Sequence, residues 1–200
     1  MAEAGRTRAA ILELGVAVAS VEGLEGLTIG RLAADLDMSK SGVLGHFGTK
    51  ESLQLAVLDA AGEVFTREVP LRARPTPAGM PRLLALCDAW VAHLERGVFP
   101  GGCFLTAASL EFDDRGGPVR DAVAELNARW QGELRRHVRI AAEAGDLPPD
   151  TDPEQVVFEL HGQMLALNSA LQLHHDRTAP ARTRRAMTRL LGRPPVGPER

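Results

Sequence analysis

The sequence predicts an all-α protein. Apolar residues recur at helical spacing almost throughout the chain, and no run alternates with period two for long enough to indicate a strand. Aromatic residues make up 4% of the 200 residues and Tyr is absent, which disfavours a β-sandwich or barrel built on aromatic pairs. A chain that is 44% hydrophobic and 24% charged can bury one large core, or a small domain fused to a larger one.

The first helix is predicted from about residue 6 to residue 22. The side chains on one of its faces share helical spacing: Ile11, Leu12, Gly15 and Ala19. Gly23 follows as the stop signal, because glycine adopts the left-handed conformation of a helix end at the lowest cost. Beyond it, Leu24 and Leu27 are expected to point back into the core.

Two short helices follow, each preceded by a residue suited to capping. Thr28 is expected to cap residues 29–36, because its hydroxyl oxygen can accept a free amide of the first turn. Ser39 is expected to cap a third helix that ends near Phe47, after a turn at Asp37-Met38. Two short capped helices around a tight turn are the pattern of a helix-turn-helix.

Proline and glycine divide the rest of the chain into further helices. Thr49 is expected to cap a long fourth helix that Pro70 ends, and residues 70–81 predict a loop because they contain four Pro and one Gly. Five more helices are predicted over residues 82–96, 104–111, 119–143, 154–174 and 179–191, followed by a loose tail over 192–200. These segments predict a helix-turn-helix domain in residues 1–50 and a larger helical domain in residues 51–200.

The start of the third helix carries the side chains that reading DNA requires. Residues 39–41, Ser-Lys-Ser, stand at its N-terminus, where the helix dipole and the free amides also favour phosphate. Val43 and Phe47, four residues apart, are expected to face the core instead. Gly42 and Gly45 cost helix stability, so they either let the DNA backbone approach closely or serve packing in a plain helical hairpin.

Four stretches in the first quarter of the chain resemble the DNA-binding domain of the tetracycline-repressor (TetR) family in their order and spacing. They are the helix from Ala10 to Gly23 and residues 27–33 (LTIGRLA), 38–47 (MSKSGVLGHF) and 49–53 (TKESL). The resemblance implies a DNA-binding transcriptional regulator, specifically a repressor. It also implies a cytoplasmic homodimer that places two recognition helices on a palindromic operator.

The resemblance implies DNA contacts for seven residues: Thr28, Ser39, Lys40, Ser41, Leu44, His46 and Lys50. Thr28, His46 and Lys50 would reach phosphates, whereas residues 39–41 would approach both phosphates and base edges. Leu44 stands where family members usually carry Tyr. Because it lacks a hydroxyl group, Leu44 can touch only a thymine methyl group or a sugar.

The charge of the first 50 residues limits how DNA is bound. These residues carry five Lys and Arg against six Asp and Glu, and the whole chain has a formal net charge of −3. A non-specific nucleic-acid binder needs a broadly basic surface. The affinity is therefore expected to come from a few well-placed side chains and from two copies, one on each half-site.

Residues 154–174 predict a subunit interface. Apolar residues occupy almost every side of this helix from Val156 to Leu173, and a helix that is apolar all round needs burial all round. The core of one subunit covers one side, and a second copy is expected to cover the other through the last two helices. The alternative is the central helix of a monomeric bundle.

In the family that this chain resembles, the larger domain encloses a ligand, which predicts a small, mainly apolar effector that releases the DNA. The candidate ligand-binding residues are Trp90, Phe104, Phe112, Trp130 and His161. Large apolar side chains more often fill a core than line a pocket. These residues therefore either line a ligand pocket or belong to the core, and the sequence leaves both interpretations open. Residues 100–105 (PGGCFL) and 111–115 (EFDDR) also resemble a recurrent segment in one branch of the family.

Other classes of function have less support. Cys87 and Cys103 are the only thiols, which is typical of a reducing compartment. A thiol-based redox sensor remains an alternative, as does a helical interaction protein of this fold without operator control. No P-loop, nucleophile elbow, dinucleotide fingerprint or metal motif occurs, so an enzyme, a cofactor and a metal site are not expected. No stretch of about 18 apolar residues predicts a membrane span or a signal peptide.

Overall fold

The structure, a computed structural model, describes residues 2–192, with side chains described from residue 4. Within that range it contains ten helices and no strand, which confirms the all-α prediction. The helices are α1 (Ala2–Gly26), α2 (Ile29–Asp35), α3 (Lys40–Phe47), α4 (Lys50–Glu68), α5 (Pro70–Ala73), α6 (Met80–Glu95), α7 (Phe104–Glu111), α8 (Pro118–Glu143), α9 (Pro153–Gln172) and α10 (Ala179–Leu190). The predicted tail over residues 192–200 lies outside the described residues apart from Gly192.

Most predicted helix ends are confirmed to within a few residues, and proline explains the main error. The predicted loop over residues 70–81 is wrong at both ends, because Pro70 begins α5 and α6 already begins at Met80. Proline fits the first turn of a helix, where its missing N–H would have no helical acceptor. α1 continues to Gly26, but Gly23 interrupts it with φ +81° and ψ 164°, so the expected stop is present as a kink.

The chain forms two compact units, each built from two separate stretches. Unit 1 comprises Met1–Val64 and Gly97–Asn127, and unit 2 comprises Phe65–Arg96 and Ala128–Arg200. Both α4 and α8 contribute residues to each unit. The division at residue 50 into a DNA-binding and a ligand-binding domain concerns function, and it stays a prediction.

Apolar side chains of α1 to α4, α7 and the start of α8 form the core of unit 1. Leu24 and Leu27 point into it with exposures of 1% and 0%, as predicted. Gly15 lets α1 and α4 approach, since a Cβ there would lie 2.7 Å from Cγ2 of Val57. This core fixes the short helices α2 and α3, which are too short to be stable alone.

Unit 2 is built from α5, α6, α9 and α10, which pack on one another, and from the second part of α8. Arg184 of α10 forms ion pairs with Asp88 at 2.7 Å and Glu95 at 2.9 Å, both on α6. His137 of α8 accepts a hydrogen bond from the amide of Gly79, which precedes α6. None of the helices between residues 2 and 192 is long and apolar enough to cross a membrane.

Candidate nucleic-acid interface

Side-chain caps define the starts of the two short helices of unit 1. The Thr28 hydroxyl accepts the amide of Arg31 at 3.1 Å at the start of α2, and the Ser39 hydroxyl accepts the amide of Gly42 at 3.0 Å at the start of α3. Both predicted caps are confirmed. Each cap satisfies an amide that has no partner within the helix, so the local sequence determines where each helix begins.

α3 presents one face to the core and the opposite face to solvent. Val43 and Phe47 are buried, with exposures of 0% and 9%, as their spacing predicts. Lys40, Ser41 and Leu44 are exposed, and they lie together on the outer face because side chains three and four positions apart share a side of a helix. We call Lys40, Ser41, Leu44 and the exposed Gly45 the outer face of α3.

The hydroxyl oxygens of Ser39 and Ser41 lie 3.0 Å apart at the N-terminus of α3. The Lys40 side chain passes over Gly30 of α2, where an added Cβ would lie 3.2 Å from its Cε. Lys40 forms no ion pair with any residue from 4 to 192. The N-terminus of α3 therefore combines an available ammonium group with two hydroxyl groups, a set that suits phosphate and base edges.

Two other cations near the helix-turn-helix, Lys50 and Arg31, have carboxylate partners. The Lys50 ammonium group donates to the carbonyl oxygen of Glu25 at 2.8 Å and to its carboxylate at 3.2 Å. Arg31 is paired with Glu22 at 3.2 Å and with Asp35 at 2.7 Å. Because an ammonium group carries three N–H donors, Lys50 keeps one donor that Glu25 does not engage.

His46 and Arg8 both lie beside Phe47, at the end of α3. The His46 ring is half-buried, with its centroid 6.4 Å from that of Phe47. The Arg8 guanidinium group stands 5.2 Å from the centroid of the Phe47 ring, within range of a cation–π contact. No local sequence signal predicts that Arg8 lies beside α3, because its proximity depends on how α1 packs.

In unit 2, three of the five candidate ligand residues lie together. The Trp90 and Trp130 rings meet edge to face with centroids 5.1 Å apart, and the His161 ring lies 6.0 Å from Trp90. Phe104 and Phe112 lie instead in the core of unit 1, with exposures of 2% and 5%. A ligand-binding role for these five residues stays a prediction, but Phe104 and Phe112 do not belong to the aromatic group of unit 2.

The aromatic group of unit 2 contains buried polar atoms without partners. Within the described residues, the indole nitrogens of Trp90 and Trp130 and Nδ1 of His161 have no hydrogen-bond partner. Burial lowers the pKa of His161, which favours the neutral ring. His161 also borders a concavity of about 410 Å³ together with Gln131, Asp152, Glu154, Gln155, Val157 and Phe158.

The two cysteines are buried, with exposures of 3% for Cys87 and 2% for Cys103. Burial, assisted by the charge of Asp88, raises the pKa of the Cys87 thiol to about 12. A thiol with so high a pKa forms almost no thiolate at neutral pH, and the thiolate is the form that reacts. The geometry around Cys87 thus disfavours the redox-sensor alternative.

Two family models match separate parts of the chain. A model described as "Bacterial regulatory proteins, tetR family" matches residues 11–57, which include the helix-turn-helix. A model described as "Tetracyclin repressor-like, C-terminal domain" matches residues 79–187, more than half of the chain. The chain belongs to the TetR family. It is therefore a DNA-binding transcriptional regulator, as the resemblance of its first quarter implies.

Solved structures of other proteins share the fold of this chain at low sequence identity. A TetR transcriptional regulator from Chloroflexus aurantiacus J-10-FL is 22% identical, with 96% of each chain covered and a TM-score of 0.86. AibR in complex with isovaleryl coenzyme A and operator DNA is 23% identical, covering 80% of this chain and 85% of that chain, with a TM-score of 0.68. A regulator from Saccharomonospora viridis in complex with choline is 17% identical, covering 94% and 96%, with a TM-score of 0.78. No curated protein sequence matches the chain.

Proposed function

We propose that this TetR-family regulator is a cytoplasmic repressor that binds a palindromic operator as a homodimer and is released by a small molecule. The observation that carries the DNA-binding part is the capped α2–α3 pair, which buries Val43 and Phe47 and leaves the outer face of α3 exposed. A helix of this kind fits the major groove, where side chains near its N-terminus read base edges.

In this proposal, seven residues of unit 1 contact the operator, each with a role set by its chemistry. Ser39, Lys40 and Ser41 approach phosphates and base edges, and Leu44 contacts a thymine methyl group or a sugar. The remaining three residues contact phosphates: Thr28, His46 and Lys50. Because the nearby Arg31 is neutralised by Glu22 and Asp35, few cations are available, and we expect each dimer to release only a few counterions, on the order of four.

The exposed side of α9 supports the homodimer. Phe158, Leu165 and Leu173 are 74%, 37% and 71% exposed, although they are apolar. They share one side of the helix with exposed small residues, Gly162 and Ser169, because positions separated by three, four and seven residues align. A partner copy whose α9 packs on this side would bury the apolar side chains, and two-fold symmetry matches the two half-sites of a palindrome.

The aromatic group of unit 2 supports a small effector with an apolar body and a hydrogen-bond acceptor. Indole N–H groups only donate, and a buried donor without a partner costs free energy, so a ligand oxygen near Trp90 or Trp130 would supply what the described residues lack. Two of the structurally similar proteins form complexes with small molecules, isovaleryl coenzyme A and choline. The effector would shift the population toward dimers whose two recognition helices no longer match the spacing of the operator half-sites.

The first experiment is selection of DNA duplexes from a random pool, followed by mobility shift with the recovered sequence. We expect a two-fold symmetric site, and we expect Lys40→Ala to weaken binding about tenfold because it removes the unpaired cation at the front of α3. Arg139→Ala is the control, since Arg139 is an exposed cation of unit 2.

Three outcomes would contradict parts of the proposal. If a folded protein selects no sequence, the protein is better explained as a helical interaction protein that does not read DNA. If the selected site has no symmetry, the palindrome is wrong. Equal losses for Lys40→Ala and Arg139→Ala would show that the outer face of α3 does not contact the operator.

A further inference from the structure

The segment 100–115 contains the two stretches that resemble a recurrent segment of one branch of the family, and it packs against the end of α1 within unit 1. The backbone of Gly101 lies so close to α1 that an added Cβ would stand 1.6 Å from the carbonyl oxygen of Ser20. The amide of Gly101 donates to the Ser20 hydroxyl at 3.2 Å. Position 101 therefore requires glycine, because no side chain fits between this segment and α1.

Glu111, at the end of α7, holds the backbone just after the kink in α1. Its two carboxylate oxygens accept the amides of Leu24 at 2.8 Å and Glu25 at 2.7 Å. The positive φ of Gly23 turns these amides out of the regular helix, so they need an outside acceptor. A Cβ on Gly23 would lie 2.7 Å from the Glu111 carboxylate, so the fit also requires glycine there.

The same turn holds the start of α4, which follows the recognition helix. Both the carbonyl oxygen and the carboxylate of Glu25 bind the Lys50 ammonium group. The buried Gln54 side chain donates to the carbonyl oxygen of Leu24 at 2.8 Å and to the Glu25 carboxylate at 3.0 Å. These hydrogen bonds, first from Gln54 and then from Lys50, lower the pKa of Glu25, so the carboxylate stays charged.

A continuous chain of hydrogen bonds therefore joins Glu111 to Lys50 through the Leu24–Glu25 backbone. We propose that Glu111 is a positioning residue for DNA binding, which sets the place of the Lys50 ammonium group through the turn at the end of α1. The carboxylate contacts no DNA itself. The inference rests on the proposed contact of Lys50 with a phosphate, and it adds a specific role for the recurrent stretch 111–115.

The alternative is that Glu111 only stabilises unit 1. A purely structural role predicts a lower melting temperature for Glu111→Gln with no change in the number of phosphates contacted. A positioning role predicts the loss of one phosphate contact per protomer, which is measured by the slope of log K against log salt concentration. The two roles thus differ in a quantity that stability does not affect.

The experiment is a double-mutant cycle of Glu111→Gln and Lys50→Met, measured on the duplex that the wild-type protein selects from a random pool. We expect each single variant to lose about tenfold in affinity and to reduce the salt slope by about one per protomer, with little further loss in the double variant. Asp114→Asn is the matched control, because it removes the same charge from an exposed residue of the same segment. Circular dichroism at the binding temperature restricts the comparison to folded protein.

Several outcomes would overturn the inference. Independent losses in the double variant, or an unchanged slope for Glu111→Gln, would show that Glu111 does not act through Lys50. An unaltered affinity for Lys50→Met, with Lys40→Ala still impaired, would remove the positioning role while leaving DNA binding by α3 intact. If Glu111→Gln does not fold, Glu111→Asp, which keeps the charge but reaches less far, takes its place in the cycle.

Discussion

Burial favours the neutral form of three histidines of unit 2, His93, His137 and His161, and this couples folding to pH at single residues. Burial lowers the pKa of His93 to about 4, from an ordinary value of 6.5, with a smaller contribution from the Arg96 charge. The pKa values of His137 and His161 are also lowered by burial. Each of these rings binds a proton more readily in the unfolded chain than in the folded one, so acid favours unfolding.

Stability is expected to fall as the pH decreases from about 6.5 to about 4, because the unfolded state takes up a proton at His93 that the folded state excludes. Over this window His93 alone accounts for about 3 kcal/mol. His93→Phe keeps an aromatic ring beside Phe65, which His93 meets edge to face at 5.6 Å, and it should flatten the pH dependence. The measurement is urea unfolding at several pH values.

The comparison of wild type and His93→Phe contains its own control, since both stability curves should run parallel above pH 7, where His93 is neutral in both the folded and the unfolded state. Equal slopes for the two proteins between pH 6.5 and pH 4 would contradict the assigned role of His93. A difference that persists unchanged at every pH would report altered packing instead.

At the scale of the helix, α3 is weak by composition and is stabilised by its surroundings. Two of its eight residues are glycine, and each glycine costs about 1 kcal/mol relative to alanine. The Ser39 cap and the burial of Val43 and Phe47 offset this cost. Gly45 lies on the outer face, and a Cβ there would meet no atom within 4 Å, so packing within the protein does not explain the glycine.

Gly45→Ala should therefore separate stability from DNA binding. The free protein should gain about 0.5–1 kcal/mol in the free energy of unfolding, because alanine restricts the unfolded chain and favours the helix. Binding to the selected duplex should weaken several-fold, because in the proposed complex the new methyl group stands where the DNA backbone approaches. An increase in affinity would show that Gly45 is not at the interface. Urea unfolding and mobility shift measure the two effects.

Two further glycine variants, one of them a control, test the packing of the 100–115 segment on α1. Gly101→Ala places a methyl group against the backbone oxygen of Ser20, which cannot move aside as a flexible side chain would, and should destabilise the protein by more than about 3 kcal/mol. Gly132→Ala in α8 meets nothing within 4 Å and should stabilise it by about 0.5–1 kcal/mol. Similar melting temperatures for the two variants would contradict the close approach at Gly101.

At the scale of the whole molecule, the exposed apolar side of α9 supports the proposed homodimer. A soluble monomer rarely exposes a contiguous apolar patch of this kind without a binding role. The proposed mode of operator binding also needs two recognition helices, so oligomeric state and DNA affinity should change together. Disrupting α9, which lies in unit 2, should therefore weaken binding that is carried out by unit 1.

Leu165→Asp is expected to convert the proposed dimer to a monomer, because it places a charge on the apolar side of α9 at the centre of the proposed interface. Light scattering after gel filtration measures the mass, and mobility shift should show at least tenfold weaker operator binding. Leu110→Asp is the matched control, since Leu110 is 63% exposed on α7. A protein that stays dimeric with Leu165→Asp would place the subunit interface elsewhere.

Local sequence signals predicted the caps, the turn and the two faces of α3, because these depend on residues within one or two turns of each other. Thr28, Ser39, Val43 and Phe47 all lie where their spacing predicts. The loop over residues 70–81 was wrong because proline both ends one helix and begins the next, and the sequence pattern does not distinguish the two roles. Of the five candidate ligand-binding residues, only three lie together in unit 2.

The sequence by itself determined the helical class, the helix-turn-helix and the family, because periodicity, capping and motif spacing are local properties. Only the tertiary structure decided that Glu111 binds the turn after Gly23, 86 and 87 residues away in sequence, and that Lys50 is held by Glu25. Only it showed which side of α9 stays uncovered. These features depend on long-range packing, in which residues distant in sequence become neighbours, and no local pattern encodes which of them will meet.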